Sequence, residues 1–61
     1  MVTEKLKKEL KISGISIYQL SKLTQIRYEL LRRVFHGTRK LSADEFLLIL
    51  ERTGIDFDKV K

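Results

Sequence analysis

The chain has no cysteine, no proline, no tryptophan and only three glycines in 61 residues. Without cysteine it can form neither a disulfide nor a thiolate-bound metal site. His36 is its single histidine, so a structural zinc site would be short of nitrogen and sulfur ligands. The missing proline and scarce glycine favour a helical domain with short connections. No apolar run approaches the roughly 20 residues that span a bilayer. The amino terminus, MVTEKLKKEL, lacks the uninterrupted apolar centre of a signal peptide. A cytoplasmic protein is the expectation. There is no phosphate-cradling glycine loop, no nucleophile beside its base and no carboxylate cluster for a metal. The chain therefore reads as a non-enzyme without cofactor, metal or small-molecule substrate.

What is present is 43% hydrophobic residues, enough for one small core, and a net charge of +5. A single domain over 1–61 is expected, near the lower size limit for folding without staples. The charge is unevenly placed. Residues 1–26 balance to +3, residues 27–40 to +4 and residues 41–61 to −2. A positive field concentrated on the middle of the chain implies an anionic partner there.

Hydrophobic spacing predicts four helices and a short fifth, with no strand alternation. The first carries Val2, Leu6 and Leu10 on one stripe, with Thr3 as its cap and Gly14 just past its end. Ser16 with Gln19, and later Ser42 with Glu45, have capping-box spacing. The second helix places Ile17, Leu20, Ser21 and Thr24 inward. Thr24-Gln25-Ile26 is its turn, and Ile26 an apolar plug. The third runs from about Arg27 to His36 and stops at Gly37. At about 100° per residue, Tyr28, Glu29, Arg32, Arg33 and His36 share one face, and Leu30, Leu31, Val34 and Phe35 the other. Thr38-Arg39-Lys40 reads as an exposed basic loop. The fourth helix, from Ala43, presents Phe46, Leu47, Ile49 and Leu50 to the core and projects Leu48 outward. Asp56 caps a last turn in which Phe57 and Val60 close the core.

Residues 16–37, SIYQLSKLTQIRYELLRRVFHG, resemble the helix-turn-helix of the lambda-repressor/Cro (XRE-type) family. Leu20 and Ser21 match the leucine-alanine pair of the first motif helix. Ile26 matches the apolar residue after the turn, and Leu31 and Val34 the buried positions of the recognition helix. Phe35-His36-Gly37 is similar to the phenylalanine-asparagine-glycine ending of phage repressors. The likeness continues through the basic loop and fourth helix, covering nearly the whole chain. Three residues depart from the pattern: Gln25 for a turn glycine, Ile17 for a glutamine, and Arg27 for a serine or threonine cap.

The resemblance implies a compact all-α, four- to five-helix lambda-repressor-like DNA-binding domain. Its expected function is sequence-specific binding of a double-stranded operator by a transcriptional regulator, a repressor of phage or mobile-element type. The third helix would enter the major groove, with Arg27, Tyr28, Glu29, Arg32 and Arg33 reading bases. Tyr18, Gln19, Lys22, His36, Thr38, Arg39 and Lys40 would hold the sugar-phosphate backbone. Glu29 also has the i,i+4 spacing for an ion pair with Arg33. Leu48, Phe57 and Val60 are the candidate contacts of a homodimer. Two other readings stand beside this one. One is a protein-interaction module or an autorepressor domain of a phage anti-CRISPR-type protein, on the likeness of YQLSKLT at Tyr18 to Thr24. The other is a non-specific nucleic-acid binder.

Overall fold

Most helix ends fall where a side chain or a glycine turn satisfies the free backbone groups. The computed structural model describes residues 2–61, with α1 at Val2–Ile12, α2 at Ile17–Thr24, α3 at Tyr28–Phe35 and α4 at Ala43–Thr53. A 3-10 turn at Phe57–Lys59 follows, and no strand occurs among the described residues. Both expected capping boxes form. Ser16 Oγ accepts from the Gln19 N–H at 3.1 Å, and Gln19 Oε1 accepts from the Ser16 N–H at 3.0 Å. Ser42 and Glu45 repeat these two bonds at 3.1 and 3.0 Å. Asp56 starts the final turn by accepting from the Asp58 N–H at 3.0 Å.

Two kinds of stop alternate along the chain. After α1 and α3 the backbone turns back through Gly14 and Gly37. There the Ile15 N–H reaches the Leu10 carbonyl and the Thr38 N–H the Arg33 carbonyl, both at 2.9 Å. After α2 and α4 a threonine closes the helix instead. Thr24 donates its hydroxyl to the Leu20 carbonyl at 2.7 Å and accepts from the Ile26 N–H at 3.3 Å. Thr53 does the same with Ile49 and Ile55, at 2.7 and 3.4 Å. The residue after each threonine is left-handed: Gly54 at φ 74° and Gln25 at φ 61°. Gln25 is the one non-glycine with positive φ among the described residues.

One core joins all the elements. Leu6 and Leu10 of α1, Leu20 of α2, Leu31 and Phe35 of α3, Ile49 of α4 and Val60 make up its buried centre. Ile17, Ile26, Phe46 and Leu50 pack around them, half-buried. Fully burying a leucine contributes roughly 1.5–3 kcal/mol, so Leu6, Leu20 and Leu31, each at 0% exposure, are principal stabilising residues. Helix α2 packs against both α3 and α4, while α1 packs against α3 and the final turn.

Four expectations are corrected or fall aside. Thr3 lies within the first turn of α1, which already includes Val2, and is not its cap. The expected place of the Val2 side chain lies outside the described residues. On α4, Leu47 is 59% exposed and Leu48 is half-buried, the reverse of the expected phase. The helix meets α2 from a direction that the apolar run FLLIL, apolar on every side, could not specify. Val60 is fully buried, so it closes the core and cannot belong to an exposed patch with Phe57.

Candidate nucleic-acid interface

Helix α3 is divided sharply into two faces. Leu31, Val34 and Phe35 are buried, whereas Tyr28, Glu29, Arg32, Arg33 and His36 are all exposed. The buried residues fix the rotation of the helix about its axis, and that rotation turns both arginines to solvent. Arg27 stands immediately before α3 as its N-cap residue, exposed and without a side-chain capping bond. Eight residues give α3 a length of about 12 Å, and its exposed face carries two arginines against one glutamate.

The structure separates the two arginines. Arg32 Nη1 lies 4.0 Å from Glu29 Oε2, an exposed i,i+3 pair of the kind that contributes little. The expected Glu29–Arg33 partnership is therefore replaced by Glu29–Arg32. Arg33 makes no ion pair among the described residues. Glu29, Arg32, Arg33, His36 and Thr38 together line a shallow concavity on this face.

The amino ends of α2 and α3 meet at two tyrosines. The rings of Tyr18 and Tyr28 pack edge to face with centroids 6.4 Å apart, and both remain largely exposed. Lys22 Nζ sits 4.9 Å from the centroid of the Tyr18 ring. This links an expected base reader, Tyr28, to two expected backbone holders, Tyr18 and Lys22. Gln19 also lies on this exposed stretch, but its Oε1 is occupied by the capping box, leaving its amide NH2 to donate.

The loop after α3 differs from an exposed basic strip. Arg39 folds onto α4 and donates to both oxygens of Glu45, Nη1 to Oε1 at 3.2 Å and Nη2 to Oε2 at 3.0 Å. Glu45 thus closes the Ser42 capping box and grips a guanidinium with the same carboxylate. Its carboxyl is held below the ordinary 4.5, first by the Arg39 hydrogen bonds and next by the Ser42 N–H, against an opposing effect of burial. Thr38 donates its hydroxyl back to the Arg33 carbonyl at 3.2 Å, so that proton is committed. Lys40 and His36 stay exposed. Of the loop residues expected to hold phosphates, Lys40 is the cation left outward.

Sequence reasoning missed the Arg39–Glu45 fork because the two residues are six apart and straddle a helix start, outside any helical spacing rule. The signal was the coincidence of an arginine three residues before a capping serine whose box partner is charged. The described residues contain no group of three or more histidine, cysteine, aspartate or glutamate residues able to hold a metal. No helix is long and apolar enough to cross a membrane. Comparison with protein-family models, with curated proteins and with solved structures finds no match.

Proposed function

We propose that this chain is a sequence-specific duplex-DNA-binding transcriptional regulator of lambda-repressor-like architecture, with α3 in the major groove. The observation that carries this reading is the face of α3. A helix anchored by Leu31, Val34 and Phe35 presents Arg32 and Arg33 outward, and a three-residue turn ties it to α2. Arginine suits base reading because its planar fork donates twice to guanine O6 and N7, worth about 1–3 kcal/mol of discrimination. Arg33 makes no ion pair among the described residues and is the first candidate reader, with Arg32 beside it in weak contact with Glu29. Arg27 and Tyr28 enter the groove at the amino end of the helix. Lys22, Lys40 and His36 flank it at the phosphates.

Repression would be steric, by occupation of an operator. Two copies on a two-fold symmetric site would meet through exposed apolar residues of the carboxyl-terminal half, Phe57 and Leu47, beside half-buried Leu48. Selection of bound duplexes from a random pool tests the reading. Enrichment of a defined sequence supports it, and a two-fold symmetric consensus supports the dimer. Salt-sensitive binding with no enrichment would instead favour a non-specific binder. Absence of duplex binding would favour a protein partner, for which the exposed Tyr18–Tyr28 pair is the natural anchor.

A further inference from the structure

The basic surface does not end with α3. A groove of about 770 Å³ runs between α1 and the loop that follows α3, with Phe35 and Leu41 among its lining and Lys7, His36, Arg39 and Lys40 as its basic residues. It shares His36 and Thr38 with the concavity on the α3 face, so the two depressions adjoin. Of the three lysine and arginine side chains lining it, Arg39 is held by Glu45. Lys7 and Lys40 make no ion pair among the described residues. Glu4 is the one acid in the lining among the described residues, and it leaves the groove positive.

We propose that this groove carries the phosphodiester backbone of the bound duplex away from α3, with Lys7 of α1 and Lys40 as the phosphate ligands and Arg39 withheld. The inference rests on the duplex-binding reading above. Lys7 is singled out from the other lysines of α1 by position. Lys5 donates to the Lys61 carbonyl at 2.6 Å, and Lys8 and Lys11 lie outside the groove. Basic residues in two adjoining depressions suit a polyanion that runs from one to the other. Arg39 within the groove supports its wall by fixing the loop to α4, and Glu45 has already neutralised its charge.

Salt dependence distinguishes these roles, because each phosphate neutralised contributes about −0.9 to the slope of log K against log salt. The measurement uses the whole chain and a short duplex of arbitrary sequence. Lys7→Ala and Lys40→Ala should each make the slope shallower by about 0.9. Lys8→Ala should leave it unchanged. Thermal melting of each variant confirms that it is folded, and Lys7→Arg should restore the wild-type slope. A wild-type slope in folded Lys7→Ala, or a reduced slope in folded Lys8→Ala, would overturn the proposal while leaving duplex binding intact. A wild-type chain without salt-dependent duplex binding would overturn both readings.

Discussion

Gln25 and Glu45 show how single residues set the local chemistry of the site. Gln25 holds a left-handed conformation at φ 61° in the turn between α2 and α3. A side chain with a Cβ costs about 1 kcal/mol there, and the structurally matching position after α4 is Gly54. Gln25→Gly should therefore stabilise the domain by about 1 kcal/mol in denaturant unfolding; a loss of stability would mean that the glutamine side chain contributes more than its strain costs. Glu45 is the reverse case, a residue whose contacts exceed its expected role. Its folded carboxyl lies below 4.5, so its contribution is full well above that value and fades as pH falls through the lowered folded one. Glu45→Gln keeps an acceptor for the Ser42 N–H but loses the charged fork. Its stability deficit against wild type should be largest at neutral pH and shrink in acid. A deficit independent of pH would mean that the charged pair with Arg39 adds nothing.

At the scale of elements, helix boundaries were legible to within a residue at the two capping boxes and the three stop glycines, whereas Thr3 misplaced the start of α1. Ser16 and Ser42 with their box partners, and Gly14, Gly37 and Gly54, fall where capping chemistry requires them. The faces of α2 and α3 were legible because polar and apolar residues separate cleanly at helical spacing. Helix α4 was not, because FLLIL offers five apolar residues in a row and only packing against α2 decides that Leu47 is left out. The rotamer choices of Arg39 and Tyr18 depend on neighbours from other elements and have no signature in local spacing. Helix α3 has no side-chain cap at its N-cap residue, Arg27. Arg27→Ser should add a capping bond worth about 1 kcal/mol of stability, while weakening duplex binding by removing a cation. A variant that gains stability and binds as tightly as wild type would remove Arg27 from the interface.

The whole molecule measures 26 × 22 × 20 Å. Its core draws on every helix, while Arg33 on the α3 face and Lys7 and Lys40 in the adjoining groove make no ion pair among the described residues. The acidic carboxyl-terminal segment supplies one carboxylate, Glu45, to the loop that carries Lys40. On the proposed duplex-binding function, affinity would come largely from phosphates, and specificity from the few side chains that reach base edges. Arg33 is the residue on which that division rests most heavily. The most direct measurement is the ratio of affinities for a selected duplex and a scrambled one, in wild type and in Arg33→Ala at the same salt concentration. The account predicts that Arg33→Ala lowers this ratio by about tenfold, with a much smaller change in affinity for the scrambled duplex. An unchanged ratio in a folded Arg33→Ala variant would contradict it.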